Sequence, residues 1–539
     1  MNQLAAKAET RNAQPWWRGA AIYQIYPRSF FDSNGDGIGD LPGITARLDH
    51  IAGLGVDAVW LSPFFKSPMA DFGYDVADYR DVDPIFGTLA DFDALIARAH
   101  ALGLRVLIDQ VWAHTSDQHA WFIESRASRA NPKADWYVWH DAKPEGSPPT
   151  NWQSVFGGPA WTWDARRGQY YMHNFLKEQP QLNCHHPEVQ AELLAITRFW
   201  LDRGVDGFRI DAINFSMHDP EFRDNPPAPD DGTPRTRPFD FQLHIYNQSH
   251  ADIPGFLERL RGVFDEYPDR FTVAEVGGAD ADREMKLFTA GGNRLNTAYG
   301  FDFLYASRLT AAGVRAALQN WPAGGSWPSW AFENHDAPRA VSRWTRPKTA
   351  DAFARMKMLL LAALRGNIFL YYGEELGLDQ VEIPFEALQD PEAIANWPRT
   401  LSRDGARTPM PWSSTAPELG FTSGRPWLPV GPNHEALAVD VQDADPASLL
   451  AWTRRVLALR GASPALRTGD IAFHDAPGEL LAFERAAEGE RLLCLFNLGD
   501  VAQHWTPANA SHWRPLLATG GAGDWTFAPH SGLIARYEA

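Results

Sequence analysis

Three carboxyl groups stand where short β-rich runs of the sequence come to an end. Asp211 closes the run GFRID, Glu275 lies near the end of FTVAEV, and Asp336 closes WAFENHD. Two carboxyl groups about 5 to 5.5 Å apart can cleave a glycosidic bond with retention, one attacking the anomeric carbon and one protonating the leaving oxygen. A single carboxylate at a strand end is more often a helix cap or an ion-pair partner. The hypothesis therefore depends on the joint placement of all three.

Paired helices and strands must position these groups. The clearest pair begins near Pro187, has apolar residues at helical spacing, breaks at Gly204 and ends in the run that closes at Asp211. Two similar pairs end around Leu61 and around Asp109. Alternating helices and buried strands predict a parallel sheet, and such sheets place their chemistry at the C-terminal ends of the strands. Further strand candidates begin at Ala21, Phe271, near Tyr299, at Trp330 and at Ile368.

Eight strand candidates are the number that closes a (β/α)8 TIM barrel, so we predict an α/β fold of this class. The barrel should comprise residues 1–113 and 181–460, with an irregular insertion at about 377–443. A stretch rich in Trp, Pro and Gly after strand three, 114–180, is too long for a plain loop and predicts an inserted subdomain over the barrel mouth. Alternating runs such as ELLAFERA predict a C-terminal antiparallel β domain at 461–539.

Charge and composition exclude several classes of partner. The formal net charge of −18 repels nucleic acid and anionic membranes, so a neutral small molecule is the expected substrate. Cys184 and Cys494 predict neither a disulfide framework nor a cysteine metal site, and no organic cofactor is expected. Residues 1–20 lack the apolar core of a secretory signal, which favours a cytoplasmic protein. The apolar stretch 358–372 is interrupted by an arginine and a glycine, which indicates a buried helix and then a strand. A monomer and a homodimer both remain open.

Five short motifs lie along the chain: DQVWAHTS at 109–116, QPQLN at 179–183, GFRIDAIN at 207–214, VAEV at 273–276 and ENHD at 333–336. Each is weak by itself, but together, in this order, they form a specific pattern. The pattern resembles the α-amylase superfamily of glycoside hydrolases, and within it the oligo-1,6-glucosidase and α-glucosidase group, over nearly the whole chain. The resemblance implies an enzyme that cleaves glycosides by double displacement with retention.

The resemblance also implies roles for the three carboxyl groups. Asp211 would be the nucleophile, Glu275 the general acid and base, and Asp336 a residue that binds sugar hydroxyls and favours the distorted transition state. Burial and neighbouring carboxylates should raise the pKa of Glu275, while Arg209 should keep Asp211 ionised. Two different environments would then give two similar carboxyl groups different pKa values.

A pocket for one terminal glucose follows from the same resemblance. Asp71 and Tyr74, in DFGYDVADY, would hold and stack the sugar, and Arg407, in RTPMPW, would close the pocket by pairing with Asp71. Such a closed end implies exo action. His114 and His335 would hydrogen-bond sugar hydroxyls, although a structural or metal-bound histidine stays an alternative. The wall would come from the inserted subdomain, through Phe156, Phe175 and Gln179.

The segment DSNGDGIGD offers oxygen ligands at the spacing that hard cations favour. The predicted ligands are Asp32, Asn34, Asp36, the backbone carbonyl of Ile38, and Asp40. The expected ion is a structural Ca²⁺, or Mg²⁺, as in many superfamily members. The alternative is a loop of Asx turns without metal.

Three positions bear on the substrate. Ala113 and Gln181 depart from the residues usual in the superfamily, Asn and Asp, which affects hydrogen bonds around the site and leaves the carboxyl groups unchanged. Ala212 follows the nucleophile directly. In the group that the chain resembles, Val there accompanies α-1,6 activity and smaller residues accompany α-1,4 preference. The resemblance therefore implies hydrolysis of maltose-like and aryl α-glucosides.

Other functions remain open at this point. An oligo-1,6-glucosidase would use the same residues. A glucosyl-enzyme can also be intercepted by a hydroxyl other than water, so a transglucosidase or sucrose isomerase is a further alternative. A non-catalytic relative that uses the barrel as a binding module is disfavoured, because the three carboxyl groups are all present.

Overall fold

Eight parallel strands close into a barrel in the computed structural model. The structure describes residues 14–230, 232, 235–278, 280–321, 326–345, 350–400, 402–520 and 524–538. Each strand pairs with its neighbours in chain order, and the last pairs with the first. The barrel strands are β1 (Ala21–Ile25), β2 (Ala58–Leu61), β3 (Arg105–Val111), β4 (Gly207–Asp211), β5 (Phe271–Glu275), β6 (Thr297–Tyr299), β7 (Trp327–Ala331) and β8 (Asn367–Tyr371).

Helices surround the barrel and bury its outer face. The helix before β4, Pro187–Asp202, begins with proline at its first position, and the His186 side chain accepts from the backbone N–H of Glu188. The helices are Pro27–Phe30, Leu41–Leu54, Leu89–Ala101, Ala120–Ala127, Pro187–Asp202, Ile253–Phe264, Ala281–Thr289, Ala311–Gln319, Ala340–Trp344, Ala350–Ala363, Pro391–Asn396, Val439–Ala444, Leu449–Ala462 and Pro464–Thr468. Because helices cover the outside and side chains fill the inside, β4, β5, β7 and β8 are buried along their whole length.

The segment after β3 leaves the barrel pattern. It contains the helix Ala120–Ala127 and a three-stranded sheet in the order Trp139–His140, Gln169–Met172, Trp161–Asp164. Trp152, Trp161 and Met172 belong to its small apolar core. A two-stranded ribbon of Phe65–Lys66 and Asp78–Val82 follows β2.

An antiparallel sheet forms the C-terminal part of the chain. Its five strands are β9 (Asp470–His474), β10 (Leu480–Ala487), β11 (Glu490–Asn497), β12 (Trp513–Thr519) and β13 (Ser531–Tyr537), in the order β9-β10-β11-β13-β12. Phe483 and Phe496 on one face join the same apolar core as Leu359 of the helix Ala350–Ala363. The sheet therefore packs against the barrel helices. A short ribbon pairs Gln503–His504 with Thr526–Phe527.

The predicted TIM barrel, the insertion after strand three and the C-terminal β domain are confirmed as the fold class. The extents given for the domains stay a prediction. The apolar stretch 358–372 is indeed a helix followed by β8. No helix among the described residues has both the length and the apolar character needed to span a bilayer.

One prediction about a strand end differs from the structure. Asp336 does not end the seventh strand, because β7 stops at Ala331 and the carboxylate lies in the loop that follows. The Asn334 side chain accepts from the backbone N–H groups of Asp336 and Ala337, both at 2.9 Å. This turn ends the extended run early and presents Asp336 above the strand.

Candidate active site

The three predicted carboxyl groups line one cavity of about 860 Å³ at the C-terminal ends of the barrel strands. Asp211 is the last residue of β4 and Glu275 the last residue of β5, and these strands are neighbours. Asp336 reaches the same cavity from the loop after β7. The C-terminal face is where (β/α)8 enzymes place their catalytic residues.

Arg209 is the charged centre of the site and is fully buried on β4. Its Nη1 lies 2.7 Å from Oδ1 of Asp109 and 2.5 Å from Oδ1 of Asp211, and its Nη2 lies 2.5 Å from Oε1 of Glu275. One guanidinium therefore contacts both candidate catalytic carboxylates. Such a planar fork fixes the direction of each carboxylate as well as its charge.

The predicted difference in pKa between Asp211 and Glu275 is not seen. Burial raises the pKa of Asp211 from 3.8 to about 7, with Arg209 opposing and Asp109 and Asp336 adding to the rise. Burial likewise raises the pKa of Glu275 from 4.5 to about 7. The prediction is wrong for Asp211 because Arg209 is shared with Glu275 and Asp109 and so compensates each only in part. Burial therefore raises the pKa of both carboxyl groups, and Arg209 opposes the rise in each.

Asp336 has the opposite electrostatic environment. Burial alone would raise its pKa, but His335, Arg403 and Arg407 outweigh burial and hold the pKa well below its usual range. Its Oδ1 lies 2.8 Å from Nη2 of Arg407 and 3.3 Å from Nη1 of Arg403. Asp336 is therefore the ionised carboxylate of the three.

The end of the cavity is closed by an arginine that the sequence reasoning missed. Nη2 of Arg403 lies 3.0 Å from Oδ1 of Asp71, and Nε2 of Gln179 donates to the other oxygen of Asp71 at 3.2 Å. The predicted pair between Arg407 and Asp71 is wrong. Nε of Arg407 donates to the carbonyl of His335 at 2.7 Å, which directs its guanidinium to Asp336 instead.

Tyr74 and His335 have nearly parallel rings that meet at their edges through a hydrogen bond. Their rings are 5.3 Å apart and within 4° of parallel, and the hydroxyl of Tyr74 lies 2.6 Å from Nε2 of His335. Nδ1 of His335 lies 2.9 Å from the amide nitrogen of Gln24. Both ring nitrogens of His335 therefore contact protein groups, and the predicted contact with a sugar hydroxyl would require one of these contacts to break.

His114 remains a candidate for binding a sugar hydroxyl. It lines the cavity, and its Nε2 lies 2.9 Å from the carbonyl of Tyr74. Its Nδ1 is buried and has no hydrogen-bond partner among the described residues. Burial lowers the pKa of His114 to about 4, so the ring is neutral at physiological pH. The contact of His114 with a sugar hydroxyl stays a prediction, since Nδ1 is buried and Nε2 already contacts Tyr74.

The inserted segment contributes an aromatic wall. Phe156 and Phe175 line the cavity with ring centroids 5.7 Å apart, and Phe175 also packs against His114 at 5.2 Å. The Arg403 guanidinium lies 5.0 Å from the centre of the Phe156 ring. Flat apolar faces of this kind can stack on the C–H faces of sugar rings.

Sequence reasoning missed further groups at the site. Asp109 lies within the motif DQVWAHTS. The hydroxyl of Tyr299 lies between two groups of the site, 3.1 Å from Nε of Arg209 and 3.2 Å from Oε1 of Glu275. A second wall, which mixes polar and apolar side chains, comes from the segment around 236–249. No sequence motif indicated it. Its members at the cavity include Arg237, Phe239, His244, Gln248 and Ser249.

The two residues that depart from the superfamily pattern, Gln181 and Ala113, are accommodated by contacts with their neighbours. Gln181 accepts from the side chain of Asn174 at 2.9 Å and donates to the carbonyl of Phe215 at 2.7 Å. Ala113 packs with Ala212 and Phe215 in a small apolar cluster beside the cavity. A small residue at 113 thus leaves an apolar surface next to the candidate nucleophile.

The predicted metal loop is closed by its own hydrogen bonds. The carboxylate of Asp32 accepts from the backbone N–H groups of Asn34, Gly35 and Gly37 at 3.0, 2.8 and 2.7 Å, and from the hydroxyl of Thr422 at 2.5 Å. A carboxylate has about four lone-pair positions, so those of Asp32 are filled.

The other oxygens of this loop keep room for a ligand. Oδ1 of Asn34 accepts from the N–H of Asp36 at 2.9 Å, and Oδ1 of Asp36 accepts from the N–H of Ile38 at 2.8 Å. Asp40 accepts from Ser33 and caps the helix that begins at Leu41. The oxygens fit a hard cation in type, but binding through Asp32 would require it to give up at least one hydrogen bond.

Comparison with known proteins agrees with this architecture. The family description "Alpha amylase, catalytic domain" matches residues 24–469. A probable alpha-glucosidase of Rhizobium meliloti (strain 1021) is 55% identical over 90% of each chain. An oligo-1,6-glucosidase of Parageobacillus thermoglucosidasius is 37% identical over 90% of this chain and 91% of the relative.

Two solved structures are similar over almost the whole chain. That of an alpha-glucosyl transfer enzyme, XgtA, has a TM-score of 0.94 and 52% identity, and the match covers 97% of this chain and 100% of that one. That of the trehalulose synthase MutB of Pseudomonas mesoacidophila MX-45 has a TM-score of 0.89 and 32% identity, over 98% and 100%. With the barrel, the cavity and its carboxyl groups, these matches show that the chain belongs to the alpha-amylase family and is a glycoside hydrolase.

Proposed function

We propose that this glycoside hydrolase is an exo-acting α-glucosidase that removes single terminal glucose units from short α-glucosides. The observation that carries the proposal is the ion pair between Arg403 and Asp71, which closes one end of the cavity that holds Asp211, Glu275 and Asp336. A pocket closed beyond the terminal sugar admits a chain end and excludes the middle of a polymer.

The reaction proceeds in two displacements. Asp211 attacks the anomeric carbon while Glu275 gives its proton to the leaving glycosidic oxygen, which leaves glucose covalently bound to Asp211. Glu275, now a carboxylate, takes a proton from water as the water displaces Asp211. The contact of Arg209 with both carboxylates fits the short spacing of about 5 to 5.5 Å that retention requires.

The ionised form of Asp211 is the reactive one in this scheme. The oxocarbenium-like transition state is positive and favours a carboxylate at Asp211, which the guanidinium of Arg209 also stabilises against burial. Asp336, held ionised by Arg403 and Arg407, adds negative charge and accepts hydroxyl hydrogen bonds from the same sugar.

A preference for α-1,4 links is the finer part of the proposal. Ala212 lines the cavity directly after Asp211 and packs with Ala113 and Phe215. The short side chain of Ala212 takes up little of the cavity beside Asp211, which suits the leaving sugar of maltose or an aryl group. An α-1,6 preference is the alternative, and the similarity to an oligo-1,6-glucosidase supports it.

Transfer to acceptors other than water is a second candidate activity. The similarity to XgtA, described as an alpha-glucosyl transfer enzyme, supports it, and so does the partly apolar wall with Phe239 and Phe301. An apolar wall beside a glucosyl-enzyme retains organic acceptors at the expense of water. The similarity to MutB keeps isomerisation of sucrose among the outcomes to be tested.

The deciding experiment incubates the protein with maltose, isomaltose and sucrose separately, beside an Asp211→Asn variant, and resolves the products by chromatography. Faster release of glucose from maltose, abolished in the variant, supports the proposal. Longer products identify a transglucosidase, and an isomer of sucrose identifies an isomerase. Release of internal fragments from a long α-glucan would overturn exo action.

Three further assignments accompany this function. The loop 32–40 holds a structural Ca²⁺ or Mg²⁺ through Asn34, Asp36, the carbonyl of Ile38 and Asp40, with Asp32 joining when it releases a hydrogen bond. The enzyme works in the cytoplasm, which its buried, unpaired cysteines would suit. It acts as a monomer or homodimer, and size-exclusion chromatography with light scattering distinguishes the two.

A further inference from the structure

A group of two histidines and an aspartate lies outside the active-site cavity. His185, His250 and Asp252 each offer a ligand atom, and these atoms all lie within 4.8 Å of one another. In the part of the chain that the structure describes, no other three His, Cys, Asp or Glu side chains meet this criterion. None of the three lines the catalytic cavity. Imidazole nitrogens and a carboxylate oxygen are ligands that Zn²⁺ takes.

The ring of His185 is held in the state that a metal requires. Its Nε2 lies 2.7 Å from the backbone carbonyl of His218. Because a carbonyl oxygen only accepts, Nε2 carries a proton, and Nδ1 is the ring nitrogen left for a ligand. Nδ1 faces Oδ2 of Asp252 at 3.8 Å. A histidine ligand that donates its other N–H to a carbonyl is the usual outer arrangement of metal sites, and it fixes both tautomer and ring orientation.

His250 and Asp252 complete the group. Nδ1 of His250 lies 3.6 Å from Oδ2 of Asp252 and accepts from the backbone N–H of Asp252 at 3.3 Å, so binding an ion through Nδ1 would require it to give up this hydrogen bond. The rings of His185 and His250 are 4.8 Å apart and nearly perpendicular. Asp252 precedes the helix Ile253–Phe264 but its side chain makes no capping hydrogen bond, so its carboxylate has no role in that helix end. The side chains of His185, His250 and Asp252 are 21%, 24% and 68% exposed, so an ion can enter from solvent.

A further imidazole borders the group. The ring of His218 lies 5.3 Å from that of His185, and its Nδ1 is buried without a hydrogen-bond partner among the described residues. Two imidazole rings beside one carboxylate form a mixed nitrogen and oxygen ligand set, which favours a cation of borderline softness over Ca²⁺.

We propose that His185, His250 and Asp252 bind a divalent transition-metal ion, with Zn²⁺ the best match and water in the open fourth position. The ion would join the start of the helix Pro187–Asp202 to the segment 248–252. Gln248 and Ser249 of that segment line the cavity, and the N–H of Ser249 donates to the carbonyl of Asn214 at 2.6 Å. The metal would thus hold the base of the cavity wall that Gln248 and Ser249 belong to.

The test titrates the chelator-treated full-length protein with Zn²⁺ by calorimetry, and with Co²⁺ while recording the visible absorbance of the bound ion. We expect one Zn²⁺ per chain and a rise in melting temperature on binding. His185→Ala and His250→Ala should each lower the affinity by at least about 30-fold, and Asp252→Asn by about 10-fold. His504→Ala, an exposed histidine of the C-terminal part, should bind like the wild type, and so should Asp36→Asn of the separate calcium loop.

The readouts do not depend on glycoside cleavage. Equal melting temperatures of wild type and variants without metal show that the variants fold. Absence of saturable Zn²⁺ binding by the wild type would overturn the proposal, and so would unchanged binding by a folded His185→Ala/His250→Ala double variant.

Discussion

Nη2 of Arg403 lies 3.0 Å from Oδ1 of Asp71, although the two residues are 332 positions apart in the sequence. The same guanidinium lies 3.3 Å from Asp336 and 2.7 Å from Asp390. Burial raises the pKa of Asp71, and Arg403 is the largest influence that opposes this rise. One residue from the irregular region after β8 therefore sets both the shape and the charge of the closed end.

Replacement of Arg403 should damage the glucose pocket. Arg403→Ala leaves Asp71 without its ion-pair partner, so we expect kcat/KM for maltose to fall by about 100-fold or more. Arg403→Lys keeps the charge but loses the fork that reaches three carboxylates, and a fall of about 10-fold or more is expected. Steady-state kinetics measures both. Arg166→Ala, an exposed arginine of the inserted segment, is the control, and kinetics of Arg403→Ala equal to that control would contradict the role.

The raised pKa of Asp211 has a consequence for stability. Unfolded Asp211 ionises near 3.8 and folded Asp211 near 7, so between these values the folded protein holds more protons than the unfolded one. Stability from this group therefore falls as the pH rises from about 4 to about 7 and changes little above that. Asp211→Asn removes the charge, so the variant should melt about 2 °C above the wild type near pH 8, with the gap narrowing near pH 5. A gap that does not vary with pH would contradict the prediction, and the exposed Asp78→Asn is the control.

A larger side chain at position 212 should change linkage preference. Ala212 has a left-handed backbone with φ of 40°, and it lines the cavity beside Asp211. Ala212→Val fills the space that an α-1,4-linked leaving sugar would use, so the ratio of isomaltose to maltose kcat/KM should rise about 10-fold. The β-branched residue is strained at this φ, so some stability is lost as well. Ala212→Gly, which relieves the backbone without adding bulk, should leave the ratio nearly unchanged, and an equal ratio in both variants would refute the assignment.

The loop 32–40 should respond to calcium. If it binds the ion, a chelator should lower the melting temperature by about 2 °C or more, and added Ca²⁺ should restore it. Asp36→Asn keeps the hydrogen bond to the N–H of Ile38 but removes the charge, so it should abolish the response. Asp78→Asn is the matched control, since Asp78 also accepts from the N–H two residues on, at 2.9 Å. A wild-type melting temperature that changes with neither the chelator nor added Ca²⁺ would favour the metal-free loop.

Periodicity and motifs were enough to predict the barrel and the identity of its carboxyl groups. Helical and strand periodicities repeat in order, and parallel strands joined by helices bring their C-terminal ends to one face. Asp211 and Glu275 therefore meet at the cavity because each closes a strand, whatever the loops do. Asp336 could be placed in the site by its motif, but the early end of β7 could not be read from that motif.

The ion-pair and hydrogen-bond partners of these carboxyl groups depend on tertiary packing. Arg403 and Arg407 lie close together in the sequence, so a motif cannot tell which of them pairs with Asp71. The carbonyl of His335 directs Arg407 to Asp336. The pKa of Asp211 is likewise set by burial and by a guanidinium that Glu275 and Asp109 share. Contacts of this kind join loops that are hundreds of residues apart, and their geometry depends on packing that no local pattern records.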